Sequence, residues 1–206
     1  MERKVGAPRI RLATDGDGAA VAAIYRPVVE QTAISFETVA PTAEDMARLI
    51  RETVPTYPWL VCEIGGQVVG YGYATKHRVR SAYRWSVDTS VYVSEDYRRR
   101  GVGRGLYRSL FAILAVQGFY SAFAGIALPN PASVGLHESL GFEPVGVFRR
   151  VGHKLGGWHD VGWWQLTLRE SEEQPTELRD LTAVSIGRDW SRLLASGESE
   201  IDGGAT

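Results

Sequence analysis

Arg98-Arg99-Arg100-Gly101-Val102-Gly103-Arg104-Gly105 is the segment whose residue types and spacing most directly imply chemistry. It follows an apolar, β-branched run at residues 87–93 and a polar break, Ser94-Glu95-Asp96, and it leads into Leu106, Leu110, Phe111 and Leu114 at helical spacing. Strand, glycine turn and helix in that order form a site for an anion. The first N–H groups of a helix have no intrahelical acceptor, and the helix dipole favours negative charge there. Gly101, Gly103 and Gly105 can take positive φ and let a ligand approach the main chain, and the arginines add charge that does not titrate near neutrality. The ligand implied is a pyrophosphate. The P-loop pattern is absent, since no Lys-Ser or Lys-Thr follows the glycines, and the dinucleotide pattern G-x-G-x-x-G fails at Leu106. The bland alternative is an arginine-rich turn on a solvated surface.

The elements that must position this turn read as follows. Residues 10–13 form a short first strand. Asp15 or Asp17 caps a helix carrying Val21, Ile24 and Tyr25, which Pro27 bends or ends, with a second helical piece over 28–36. Thr42 and Asp45 form a capping box ahead of Met46, Leu49 and Ile50. Residues 59–64 and 67–74 alternate as a hairpin about Gly65-Gly66, and Gly70 and Gly72 imply close approach of a neighbour. A polar stretch over 75–84 precedes the strand 85–93. After the glycine turn and its helix come a strand at 121–126 and a helix opened by Asn130-Pro131 and closed by Gly141. Two final strands, 144–150 and 161–168, flank a loop holding Gly156-Gly157-Trp158-His159-Asp160.

The 206 residues, 44% hydrophobic and 23% charged, suit one globular domain over residues 1–170. Residues 171–206 are polar, with too little apolar content for a core of their own, although Leu178, Leu181, Trp190, Leu193 and Leu194 suit a short docked helix. A net charge of -1 argues against a nucleic-acid binder, so the arginine run is a local site and not part of a basic face. The single cysteine, Cys62, excludes an internal disulfide and lies in an apolar run. Four histidines without ligand-like spacing imply no metal. Without a signal peptide, long apolar run or lipidation motif, the expected setting is cytoplasmic, with no membrane contact.

Arg98-Arg99-Arg100-Gly101-Val102-Gly103 resembles the R/Q-x-x-G-x-G/A signature of the GNAT N-acetyltransferase superfamily, and the Asn130…His137…Gly141-Phe142 segment matches that superfamily's following helix. From about Ile10 to Leu168 the chain is similar to the phosphinothricin acetyltransferase family. The specific segments are Tyr57-Pro58-Trp59-Leu60, Ala82-Tyr83-Arg84-Trp85, the run 87–94, Leu128-Pro129-Asn130, Leu136-His137-Glu138 and the run 156–162. The resemblance implies an α/β (α+β) GNAT fold, a mixed, mostly antiparallel sheet flanked by helices and splayed between the strands 87–93 and 121–126. It implies acetyl transfer from acetyl-CoA, as co-substrate, to the α-amine of a small amino acid or analogue, and a homodimer.

Site roles follow from the same resemblance. The main chain of Val91, Tyr92 and Val93 would bind pantetheine, the turn Arg99, Arg100, Gly101, Val102, Gly103 and Arg104 the pyrophosphate, and Asn130 and Ser139 the cofactor from the next helix. An amine must lose a proton before it attacks a thioester. The family places a glutamate for this where Asp88 stands here, one methylene shorter, so Asp88 is either the base, directly or through water, or only orients the ammonium. His137 stands where many relatives have a tyrosine acid, and is either an acid for the leaving thiolate or a hydrogen-bonded structural residue. Arg78, Arg80 and Tyr83 would recognise the acceptor's anionic group, unless Arg78 and Arg80 are an exposed basic loop, and Phe36 and Tyr92 would line its pocket. His153 and His159, with Trp158, would shape the pocket or a dimer contact. A catalytically silent acyl-CoA sensor, or an enzyme acting on a peptide amine, are the alternatives.

Overall fold

The computed structural model describes residues 6–170 and 172–203. Its centre is a seven-stranded sheet in the order β1-β2-β3-β4-β5-β7-β6. The strands are β1 (Arg9–Leu12), β2 (Trp59–Ile64), β3 (Gln67–Lys76), β4 (Ser86–Val93), β5 (Ser121–Leu128), β6 (Glu143–Lys154) and β7 (Gly157–Thr167). Every neighbouring pair is antiparallel except β4 with β5, which is parallel. A parallel pair needs a crossover, and α3 (Val102–Gln117) supplies it.

The two faces of the sheet are covered by different helices. On one, α3 lays Leu106, Tyr107, Leu110, Ile113 and Leu114 against β2, β3 and β4, and Gly70 and Gly72 let it settle close to β3. On the other, α1 (Gly18–Gln31) and α2 (Ala43–Thr53) pack Val21, Ile24, Met46 and Ile50 on Trp59, Val61 and Tyr71. The Thr42–Asp45 capping box opens α2. The hairpin β2–β3 turns at Gly65 and Gly66, both at positive φ (61° and 80°), as a two-residue primed turn requires.

Two expectations need correction. Pro27 neither ends nor divides α1, which runs unbroken from Gly18 to Gln31 and leaves no second helix over 28–36. Ala23, whose carbonyl loses its partner to the proline, is exposed, so the proline strands no buried acceptor. The loop expected at 151–160 is mostly strand: β6 and β7 extend to a turn at Leu155 and Gly156, with φ of 49° and 78°.

The C-terminal residues return across α3 as two short helices, α5 (Leu181–Ser185) and α6 (Trp190–Ala195), burying Leu181, Val184, Leu193 and Ile201 in the main core. This segment explains two of the turn's glycines. A Cβ at Gly101 would collide with the main chain of Glu200, and one at Gly105 would stand 2.6 Å from the Gly197 carbonyl. The amide of Asp202 donates to the Arg100 carbonyl at 2.9 Å, and the Glu198 carboxylate accepts from the Ile10 amide at 2.8 Å. The last residues described thus join the glycine turn to the first strand. No helix among the described residues is long and apolar enough to cross a membrane.

Candidate active site

β4 and β5 are partners only at Ser86–Ser121, Val87–Ala122 and Asp88–Phe123, and beyond Asp88 they diverge. The gap opens the middle of the sheet from one face to the other. Alternation along β4 sends Asp88, Ser90 and Tyr92 to the face of α1, and Thr89, Val91 and Val93 to that of α3. The Ser94 amide donates to the Val69 carbonyl, which places the main chain of Tyr92, opposite Tyr71, on the β3 side. The N–H and C=O groups of Val91 and Val93 therefore point into the gap, where β5 no longer meets them.

On the α3 side the gap narrows to a cleft of about 60 Å³ lined by Thr89, Val91, Tyr107, Asn130, Ser133 and His137. Gly101 caps α3 at φ 77° and has no side chain to offer the first turn. The N–H groups of Val102, Gly103 and Arg104 consequently lack intrahelical acceptors. Arg99 also has positive φ, 59°, so the turn presents successive main-chain N–H groups outward, a concavity suited to phosphate oxygens. Gly103 faces Leu136, Val91 and Val93 across the cleft, the nearest atom being 3.3 Å from its would-be Cβ. Only Gly101 of the three turn glycines uses positive φ. Arg104 donates to Ser139 Oγ at 2.8 Å, tying the start of α3 to the end of α4 (Pro131–Ser139), and Asn130 Oδ1 accepts the Ser133 amide to start α4. Arg100 lies over the Tyr97 ring.

His137 is 4% exposed. Its Nδ1 stands 2.7 Å from the Ser133 carbonyl, which can only accept, so Nδ1 carries the proton and Nε2, 3.0 Å from the Tyr107 hydroxyl, accepts. Burial lowers the imidazole's pKa, opposed by the Ser133 bond, so the ring is neutral at neutral pH. Burial also raises the Tyr107 phenol well above its ordinary range.

On the α1 side a cavity of about 480 Å³ is lined by Asp88, Ser90, Tyr92, Phe36, Val161 and Trp163, among others. The two openings share Ile34, Thr89, Ser90, Tyr92, Gly125 and Ala127, so they meet at the split. Among the described residues Asp88 is the only carboxylate in either wall. Burial raises its pKa, against a hydrogen bond from His77 Nδ1 at 2.6 Å and the nearby charges of His77 and Arg78. Phe36 lies against Gly152, and Lys154 donates to the Ser35 carbonyl at 2.7 Å, so the β6–β7 hairpin fixes the loop that roofs the cavity.

Arg78, Arg80 and Tyr83 are not in the cavity wall. Arg78 lies over the Trp163 ring, 5.3 Å from its centroid, with Nη1 4.0 Å from Asp88 Oδ2. Arg80 is exposed, and its guanidinium meets no carboxylate among the described residues. The Tyr83 and His77 rings meet at a steep angle, with centroids 5.9 Å apart. His159 donates to the Lys154 carbonyl and faces Phe36, whereas His153 packs on Trp158 at the hairpin end. Tyr107, His77 and Trp163 carry contacts that residue types did not single out. Tyr107 lies among the apolar residues of α3, and His77 lies in the polar stretch 75–84. Among the described residues no three His, Cys, Asp or Glu side chains gather to hold a metal ion.

Comparison with known proteins agrees with this geometry. Residues 10–163 match the family described as the acetyltransferase (GNAT) domain. A phosphinothricin N-acetyltransferase of Streptomyces viridochromogenes is 41% identical over 85% of this chain and 95% of its own. An L-methionine sulfoximine/L-methionine sulfone acetyltransferase of Pseudomonas aeruginosa is 36% identical over 81% of this chain and 98% of its own. The GNAT superfamily phosphinothricin acetyltransferase of Sinorhizobium meliloti, solved in complex with acetyl-CoA, superposes with a TM-score of 0.79 at 33% identity, covering 83% of this chain and 94% of that one. With a split sheet, an uncapped glycine turn and sequence identity along most of its length, the chain belongs to the GNAT acetyltransferase family.

Proposed function

We propose that the protein transfers the acetyl group of acetyl-CoA to the α-amine of a small amino acid or amino-acid analogue, of the phosphinothricin or methionine sulfone type. The observation that carries this reading is the split beyond Asp88–Phe123, which joins a cleft beside the uncapped α3 turn to a cavity holding one carboxylate. A cavity of about 480 Å³ suits a small molecule, and its apolar walls suit a short side chain. The relatives that act on phosphinothricin and methionine sulfoximine support this acceptor class.

Acetyl-CoA, when bound, supplies a thioester carbonyl at the split. The chain's own groups divide the remaining work. The free N–H groups of Val102, Gly103 and Arg104 take pyrophosphate oxygens, and the main chain of Val91 and Val93 takes the pantetheine amides as a neighbouring strand would. Asp88 removes a proton from the acceptor's ammonium, and a carboxylate whose pKa is raised by burial does this better than one in water. The donor for the developing oxyanion is an outward N–H of β4 that the pantetheine does not occupy. His137, neutral and with Nε2 already accepting from the Tyr107 hydroxyl, holds that hydroxyl against the cleft, and the second proton lost by the attacking nitrogen ends on the departing sulfur.

The homodimer is proposed on separate grounds. β6 is an edge strand with Val145, Val147, Phe148 and Val151 exposed, an unprotected apolar edge of the kind that folded proteins cover. Phe148 and Val151 also line the acceptor cavity, so a second copy there would close it from that side.

The reading is tested by following CoA thiol release with free amino acids, phosphinothricin, methionine sulfone and short peptides. Saturable turnover of at least one free α-amino acid, and preference for it over peptides, is expected. Tight acetyl-CoA binding with no turnover of any amine would replace the enzyme by a sensor.

A further inference from the structure

Asp88 does not stand alone in the sheet. His77 Nδ1 lies 2.6 Å from Asp88 Oδ1, a separation at which a proton must sit between nitrogen and oxygen. We propose that His77 is the positioning residue for Asp88, donating its Nδ1–H to Oδ1 so that the carboxylate stays ionised and turned toward the acceptor cavity. The proposal rests on the reading of Asp88 as the base.

The fold fixes this pair from three strands. Thr75 on β3 is the cross-strand partner of Asp88, and His77 stands one residue past the end of that strand, where its imidazole reaches the carboxylate. Phe123, the partner of Asp88 on β5, stacks on the imidazole at 4.2 Å with an interplanar angle of 15°. The His77 side chain is 9% exposed against 30% for Asp88. Asp88 lines the cavity and His77 does not, so the imidazole stands behind the carboxylate and not between it and the acceptor.

The division of labour follows from what surrounds the carboxylate. Arg78 Nη1 stands 4.0 Å from Oδ2, which is beyond a hydrogen bond, and the Arg78 side chain is 45% exposed and screened by water. The other titratable groups nearby are the phenols of Tyr73, which senses the Asp88 charge, and Tyr83, beside His77. From β5 and β7, Phe123 and Trp163 place uncharged rings against His77. Glu37 on the roofing loop acts on Tyr73 and Lys154. Burial alone would leave Asp88 protonated at a higher pH, and a protonated carboxyl cannot accept from an ammonium. The His77 donor opposes this burial effect. It also fixes the rotamer of a side chain one methylene shorter than glutamate, leaving Oδ2 for the acceptor. Asp88 takes one proton from the ammonium and returns it to solvent after turnover, while His77 keeps its Nδ1 proton throughout.

The test compares kcat/KM against pH for the wild type, His77→Phe, His77→Asn and Asp88→Asn. His77→Phe keeps a ring against Phe123 and removes the donor. Its acid limb is expected to move up by about one to two pH units, a ten- to hundredfold loss on the acid side that recovers as pH rises. The KM for acetyl-CoA should not change. His77→Asn returns an N–H near the position of Nδ1 and should bring the limb back toward the wild type. If the phenyl ring prevents folding, His77→Leu takes its place in the same comparison. A limb that stays put in the donorless variant, or equal losses in it and His77→Asn at every pH, would overturn the proposal. Should Asp88→Asn abolish the limb while the donorless variant leaves it in place, the base stands and the role of His77 falls. If Asp88→Asn keeps the wild-type profile, both fall together.

Discussion

Asp88 and Phe123 are the last partners that β4 and β5 share. The residue that ends the pairing is also the one carboxylate in the walls of the opening that begins there. Chemistry and architecture are thus linked at one register position: the pairing ends beside the carboxylate proposed to activate the attacking amine.

The glycine turn yields a prediction in two arms. Gly103→Val places its branches among Leu136, Val91 and Val93 in the cleft, so calorimetry should record at least about a tenfold loss of acetyl-CoA affinity, about 1.4 kcal/mol, with a melting temperature close to wild type. Gly101→Ala forces alanine to φ 77° and onto Glu200, and should cost about 2–5 kcal/mol of stability by adding backbone strain to overpacking. Denaturant unfolding measures the second arm. Undiminished affinity in a folded Gly103→Val protein would displace the cofactor from the turn.

Arg80 stands outside the cavity wall, so a role in acceptor recognition requires the acceptor's anionic group to extend beyond that wall, which substitution tests. Arg78 is engaged by the His77 carbonyl and lies near Asp88, whereas the Arg80 guanidinium has no carboxylate partner among the described residues. Arg80→Ala should raise the acceptor KM by about ten- to a hundredfold, the worth of one charge-assisted contact. The acetyl-CoA KM should hold. Equal rises in both constants would assign Arg80 to structure.

His137 gives stability a pH dependence. Its folded-state pKa is lowered by burial, so the unfolded chain binds the proton more readily. Its contribution is therefore complete above the unfolded value, about 6.5, and is lost as pH falls below it. Urea midpoints should drop more steeply below about pH 6.5 in the wild type than in His137→Gln. Parallel curves would mean that the imidazole charges in the folded protein without penalty.

How much of this was legible in the sequence depended on how local each signal was. The Thr42–Asp45 box, the Gly65-Gly66 turn and the Asn130 cap are each complete within four residues and stand where residue types put them. Pro27 misled because its effect depends on whether the orphaned Ala23 carbonyl faces water, which only the packing decides. Gly101 and Gly105 looked like room for a ligand, yet they also make room for Glu200 and Gly197, nearly a hundred residues away. The β6–β7 turn was hidden because Leu155 takes positive φ, which its residue type does not advertise. The pairing of His77 with Asp88 needed the register of β3 on β4, which no residue pattern shows.

The account stands most directly on the rate of acetyl transfer by Asp88→Asn. With the best amino-acid acceptor at neutral pH, kcat/KM should fall by about 10²–10⁴, and the acid limb of the wild-type profile should disappear. Asp88→Glu, which restores a longer carboxylate, should keep or raise activity. An Asp88→Asn enzyme with nearly the wild-type rate and an unchanged profile would contradict the account. It would leave an enzyme that binds the small neutral-amine fraction and works by positioning alone.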